Sequence, residues 1–328
     1  MSKKEFKIIS TLGPKSLTDA FIKKCDDIRQ LHFRLNGSHL SAEEINYFVK
    51  FVKGKLPGRT IDFYLDLQGN KLRIGDLPKT LILAPMQMVE LRSGEKAEFP
   101  QIPLPVPQIF ENAESGDVLL LQDATVKLEI INAEPEKITA RVLEGRELRS
   151  HCGISLRTKA IPGGADDAKK HRQISVAKQL QISHLAMSYV FDAGEINKLR
   201  NECSNMDYHP VIIAKIEHPR ALTNPVEICR ASDEIWFCRG DLGSFIPLRE
   251  LGYWQQKTVQ IAKNLGKAVV IAGQVFHHLT AHSQPTRSEV VHFYDIQKQG
   301  ASGIVLSDET AIGIDPVNVI KSIHPLLL

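Results

Sequence analysis

Glu217 and Asp241 are two carboxylates at the ends of separate apolar runs, in Lys215–His218 and in Arg239–Asp241. A pair of this kind suits one hard, oxygen-loving cation, Mg2+ or Mn2+, completed by water and substrate. The competing reading is local neutralisation, Glu217 by Lys215 and Asp241 by Arg239. Lys215 and Glu217 stand two apart, so on a strand their side chains share one face. The stretch Gly240–Gly243 lacks bulk, and at the start of a short helix its backbone N–H groups could cradle a carboxylate or phosphate. Arg34, Arg73 and Lys215 add positive charge for a multiply anionic ligand. A divalent metal beside Lys and Arg is the equipment of phosphoryl transfer or of enolate stabilisation.

These residues need elements that bring them together. Short β-branched runs alternate with helical patterns, which predicts strands over Phe6–Thr11, Leu31–Asn36 and Ile61–Leu67. Ser41 followed by Glu44 is a capping box that opens a helix to about Lys53. Further strands are expected over Ile182–Val190, Pro210–Ile216, Glu234–Arg239, Lys267–Ala272 and Gly303–Ser307, with helices over Ala193–Glu202 and Glu250–Leu265. Between Asp76 and Leu156 the rhythm changes to short alternating runs, Met86–Leu91, Val118–Leu121, Thr125–Ile131 and Ile138–Leu143, separated by Pro-rich and Gly-containing turns. The expected fold is therefore α/β, a TIM (β/α)8 barrel with an all-β domain inserted after the third strand. The expected domains are 1–75 and 158–328 for the barrel and 76–157 for the insertion. An open doubly wound sheet is the alternative, but no G-x-G-x-x-G follows the first strand. In a barrel the chemistry gathers at the C-terminal ends of the strands. The segments Arg34–His39, Asp66–Arg73, Lys215–His218, Arg239–Asp241 and Ser307–Thr310 all fall there.

Composition narrows the class. The chain has 328 residues, 43% of them hydrophobic, with 41 Lys and Arg against 38 Asp and Glu. That is enough for a large core and too balanced for a broad nucleic-acid-binding face. Five widely spaced cysteines without a C-x-x-C pair argue against a disulfide framework or a four-cysteine zinc site. The apolar start is too short for a signal peptide and no stretch is long enough to span a membrane. A cytoplasmic protein without nucleic-acid or membrane partners is expected, and self-association is left open.

The chain resembles the pyruvate kinase family from Lys7 to about Pro316. The resemblance rests on Ile9–Pro14, Arg34–His39, Asp66–Gly75, Ala214–Glu217, Arg239–Gly243 with Ile246 and Pro247, Pro285–Glu289 and Leu306–Ala311. It implies phosphoryl transfer from phosphoenolpyruvate to ADP, giving pyruvate and ATP, with Mg2+ or Mn2+ as cofactor. Lys215 and Arg34 would act on the phosphoryl group, and Glu217 and Asp241 would hold the divalent metal. Arg239, Gly240, Asp241, Gly273, Ser307 and Glu309 would surround the carboxylate substrate. Arg73, His39 and Pro14 would face the nucleotide. Asn36, Ser38 and Asp66 match the family's monovalent-cation site. Lys71 stands where many members carry Glu, which implies that its ammonium replaces K+ and that K+ is dispensable.

The departures are specific. The family's Asp-Thr-Lys reads Asp66-Leu67-Gln68, and its Ala-Thr-Gln reads Ala272-Gly273-Gln274, removing the hydroxyl that helps protonate enolpyruvate. The lid lysines are replaced by His151-Cys152-Gly153, and Asp308 replaces a Gly. The chain ends at Leu328, where the last barrel helix is expected to finish, with no counterpart of the family's C-terminal regulatory domain. Two other functions compete with the kinase: a metal-dependent lyase or decarboxylase working through a pyruvate enolate on the same scaffold, and a non-catalytic binding module. Keeping Lys215, Glu217 and Asp241 together speaks against the last.

Overall fold

The computed structural model describes residues 5–69, 72–122, 124–157 and 167–327. Packing divides the chain into two units, Met1–Gly69 with Asp167–Leu328, and Asn70–Asp166.

The first unit is a closed barrel of eight strands. They are β1 (Lys7–Thr11), β2 (Leu31–Asn36), β3 (Phe63–Leu67), β4 (His184–Met187), β5 (Val211–Ile216), β6 (Glu234–Cys238), β7 (Ala268–Ala272) and β8 (Gly303–Leu306). Each strand pairs in parallel with its sequence neighbour, and β8 closes on β1 through Lys7–Gly303 to Ser10–Leu306. Residues of one parity point outward, where Ile8, Phe33, Leu65, Ile235 and Ile271 pack under the helices. The other parity fills the interior in layers. Ile9, Tyr64, Ala186, Ile213, Trp236, Val270 and Val305 belong to one apolar cluster inside the barrel. Thr11, Arg34, Asp66 and Lys215 lie one step further toward the strand C-termini on the same faces. Alternation along five- and six-residue strands thus sends polar groups to the mouth while the middle layer stays dry.

Helix starts follow local rules. Ser41 and Glu44 make the expected capping box at Ala42–Lys55, and Thr286 and Glu289 make a second one at Arg287–Gln299. A helix at Asp19–Asp26, capped by Thr18, is absent from the sequence expectation. The predicted strand over Ile182–Val190 is shorter, ending at Met187. Tyr189 adopts a φ of 53°, the left-handed region, which breaks the strand and turns Ser188 and Tyr189 into the mouth.

The second unit has its own core, including Leu91, Ile109, Leu119, Leu128 and Ile138. Its six-stranded sheet runs Ile154–Leu156, Val118–Leu121, Val126–Glu134, Lys137–Glu144, Met88–Ser93 and Ile102–Leu104 in spatial order. A two-stranded ribbon joins Leu81–Ile82 to Glu147–Leu148. The unit is not purely β: Pro107 opens a six-residue helix, Pro107–Asn112.

Candidate active site

At the C-terminal end of the barrel the strands deliver one continuous chain of charges. Arg34 on β2 donates Nε and Nη2 to a single oxygen of Asp66, Oδ2, at 2.9 and 2.6 Å, and its Nη1 to Thr11 Oγ1 at 3.0 Å. Asp66 on β3 is buried, and its Oδ1 lies 3.0 Å from Lys215 Nζ. Lys215 on β5 continues to Glu217 Oε1 at 2.8 Å and to Ser188 Oγ at 2.9 Å. The backbone N–H of Tyr189 donates to Glu217 Oε2, and the phenol of Tyr189 to Asp241 Oδ1, both at 2.8 Å. One residue after β4 therefore holds both candidate metal carboxylates.

Burial sets the electrostatics. For Lys215 burial favours the neutral amine, but Asp66 and Glu217 outweigh it and raise its pKa above the ordinary lysine value. Burial also pushes Asp66 up, yet Lys215 and Arg34 prevail and hold it below its usual value. Glu217 goes the other way. Burial raises it, Lys215 opposes, and the negative charges of Asp241 and Asp66 help to keep it raised. Asp241 thus stands near enough to Glu217 for the two negative charges to repel.

Arg239 opens the seven-residue helix Arg239–Phe245 at the end of β6. Its Nε donates to Gly273 O at 2.9 Å, and its Nη1 meets His292 Nε2. Burial lowers Arg239 to about 10, with Glu309 opposing, so it stays a cation at neutral pH. Gly273, just after β7, has a φ of 89°, and a Cβ there would stand 2.8 Å from Gly240 N. Ser307 donates its N–H to Glu309 Oε2 at 2.7 Å. Glu309 is buried, its Oε1 has no hydrogen-bond partner, and burial raises its pKa.

The structure brings most of the sequence-named barrel residues to this mouth. Local neutralisation holds for Glu217, which meets Lys215. Arg239 instead turns to Gly273 and His292, while Asp241 meets the Tyr189 phenol. Asn36 pairs in register with Asp66, but its Oδ1 accepts from Ser38 N at 3.2 Å. His39 closes the same turn, its N–H donating to Asn36 O at 3.1 Å. Pro14 lies in the loop after β1, which docks on Ala311 through Lys15 N–H at 3.1 Å. Arg73 belongs to the second unit, where its Nη1 donates to His151 O at 2.9 Å. Lys71 lies outside the described residues. Thr11, Ser188, Tyr189 and His292 were missed. For Ser188 and Tyr189 the signal available was a polar pair inside a strand-like run.

Comparison with known proteins now decides the family. The family model described as "Pyruvate kinase, barrel domain" matches residues 3–320. The chain belongs to the pyruvate kinase family. It is 30% identical to a pyruvate kinase of Aeropyrum pernix, over 96% of this chain and 68% of the relative. It is 29% identical to one of Corynebacterium glutamicum over 98% of this chain and 68% of that protein. Against plastidial pyruvate kinase 2 of Arabidopsis thaliana it is 27% identical over 99% of its length, and it spans 57% of that relative.

Membership in the pyruvate kinase family implies a divalent metal, and the residues at the mouth fit one. Glu217 and Asp241 are hard oxygen donors held by the same residue, and their mutual repulsion, which helps to raise Glu217, is of the kind that a bound dication offsets. Among the described residues no group of three His, Cys, Asp or Glu could hold a metal by itself. Mg2+ needs only one or two protein carboxylates, with waters and substrate oxygens completing its shell.

Proposed function

We propose that this chain transfers the phosphoryl group of phosphoenolpyruvate to ADP, forming pyruvate and ATP. The observation that carries this reading is the buried Lys215, kept charged between Asp66 and Glu217 at the end of β5. Phosphoryl transfer needs positioning and charge stabilisation more than covalent chemistry. Lys215 supplies a fixed cation in a dry site, where it counts for more than in water. Asp66 orients Arg34 beside it, giving a second cation for the oxygens in transit. Backbone N–H groups at the start of Arg239–Phe245 face the substrate carboxylate, with Arg239 braced by Gly273 and His292. When bound, Mg2+ or Mn2+ on Glu217 and Asp241 supplies Lewis-acid charge neutralisation. Gly273 offers no hydroxyl, so enolpyruvate takes its proton from water or Ser307. The proposal includes activity without K+, resting on the residue type at Lys71, and work in the cytoplasm, in keeping with five widely spaced cysteines and no C-x-x-C pair.

Gly273 also favours a second reading, a lyase or decarboxylase that stops at the enolate. One coupled assay separates the two. Pyruvate should form from phosphoenolpyruvate and ADP with Mg2+ and cease when the metal is chelated. Glu217→Gln and Asp241→Asn should each lower the rate by at least a hundredfold and weaken Mn2+ binding in calorimetry, with the circular dichroism unchanged. ADP-independent consumption of a pyruvate-yielding acid would favour the lyase, and unchanged Mn2+ affinity in both variants would remove these carboxylates from the site.

A further inference from the structure

Given Glu217 and Asp241 as metal ligands, the reading on which this rests, we propose that the phenol of Tyr189 is a positioning group. It holds Asp241 ready for the divalent cation and so sets the affinity of the mouth for that cation. Tyr189 follows β4, whereas Glu217 follows β5 and Asp241 lies in the helix Arg239–Phe245 after β6. Its backbone N–H donates to Glu217 Oε2 and its phenol to Asp241 Oδ1, both at 2.8 Å. A carboxylate oxygen only accepts, so the phenol is the donor, and a hydrogen bond to a charged acceptor is among the stronger kinds.

The backbone is bent to make this reach possible. Tyr189 has a φ of 53°, an uncommon conformation for a residue with a side chain, and such outliers gather where function requires them. An extended residue here would continue β4 and keep its N–H in the strand ladder. Room for the bend comes from Gly69, where a Cβ would stand 2.5 Å from Ser188 Cβ and 3.3 Å from Tyr189 Cδ2. The preceding residue serves the cationic side of the mouth: Ser188 Oγ accepts from Lys215 Nζ at 2.9 Å and donates to Asp66 Oδ1 at 3.0 Å. Packing alone does not call for the Tyr189 hydroxyl, since Phe presents the same ring. What the hydroxyl adds is a donor on one of two carboxylates that repel each other. With a donor on each, both are oriented before the cation arrives, and partners that orient ligands in this way govern metal affinity.

The test is calorimetric titration of the full chain with Mn2+, beside 19F NMR of the chain labelled with 3-fluorotyrosine and titrated with Mg2+. Tyr189→Phe should weaken Mn2+ binding by about tenfold to a hundredfold, the usual cost of removing a partner that orients a metal ligand. The Mg2+ concentration for half-maximal rate should rise by a similar factor, and added Mg2+ should recover the lost rate, which it would not do for a merely structural defect. In the wild type the fluorine signal that Tyr189→Phe removes should shift as Mg2+ is added, while that of the exposed Tyr47 stays in place. Wild-type Mn2+ affinity in Tyr189→Phe, with affinity lost in Glu217→Gln, refutes the role of the phenol and leaves the metal centre standing. Unchanged affinity in both Glu217→Gln and Asp241→Asn removes the metal centre, and the role of Tyr189 with it. Should Tyr189→Phe fail to fold, its signal is assigned by Phe replacement of the other tyrosines, and a wild-type signal indifferent to Mg2+ overturns the inference.

Discussion

Gly273 shows how one residue constrains the mouth. Its φ of 89° is open to glycine and costly for any other residue, and an added Cβ would meet Gly240 N at 2.8 Å. Restoring the family's Thr here is therefore a poor rescue of proton delivery, because the side chain would push on the helix start that faces the substrate. Gly273→Ala should cost about 1–3 kcal/mol of stability, and it should raise KM for phosphoenolpyruvate by displacing Gly240. Unchanged melting and unchanged KM would show that the loop relaxes freely. Glu309 gives a second residue-scale prediction. Burial raises its pKa above the usual 4.5, so the folded state binds its proton more tightly than the unfolded chain does. Its contribution to stability is full below pH 4.5 and is lost as pH rises through the folded pKa. Glu309→Gln should match wild type in acid and gain in relative melting temperature as pH rises, until Glu309 is fully ionised. A gap independent of pH would mean that Glu309 does not titrate differently on folding.

At the scale of elements, the helix Arg287–Gln299 depends on its first turn. Thr286 Oγ1 accepts from Glu289 N–H, and Glu289 reaches back to Thr286 N–H and sideways to His278 N–H. One capping box therefore ties the helix to the loop that follows β7. Thr286→Ala should destabilise the barrel by about 0.5–2 kcal/mol. Amide exchange should quicken in the first turn of the helix and at His278 together. Faster exchange in the helix alone would show that Glu289 holds the loop independently of the cap.

For the molecule as a whole, the barrel interior carries polar groups at both ends around a dry middle. Opposite the mouth, Lys7 on β1 reaches Glu234 on β6 at 2.6 Å, and Glu234 also accepts from Trp236 Nε1 at 2.9 Å. His184 on β4 stacks on Tyr64, centroids 4.0 Å apart, and its Nδ1 lies 2.7 Å from Ser183 Oγ. Burial, partly opposed by Glu234 and Asp62, lowers His184 from 6.5 to about 4. Protonation is then favoured in the unfolded chain, so stability is lost as pH falls from 6.5 through the folded pKa. At 1.36 kcal/mol per pKa unit the loss reaches about 3 kcal/mol. Replacement by Gln should flatten this acid limb in urea unfolding followed between pH 7 and 4. An acid limb of the same size in His184→Gln would assign the loss to other groups.

The alternating runs, the capping box at Ser41 and the charged strand ends were sufficient to imply a (β/α)8 barrel and to name Arg34, Asp66, Lys215, Glu217, Arg239 and Asp241. Period-two alternation is a local property, and eight such runs at similar spacing leave few ways to bury both parities, one on each side of a closed sheet. Motif resemblance added the family. What the local pattern could not hold was the partner of each charge. Lys215 stands two residues from Glu217, so their pairing was open to the sequence as the competing reading, but Asp66 between Arg34 and Lys215 depends on β2, β3 and β5 meeting at one height around the barrel. Tyr189 illustrates the same limit. In sequence it extends an apolar strand, and only its left-handed φ carries its N–H to Glu217 and its phenol to Asp241. Residue types decide which chemistry is available, whereas closure of the barrel, a long-range event, decides which of those residues touch.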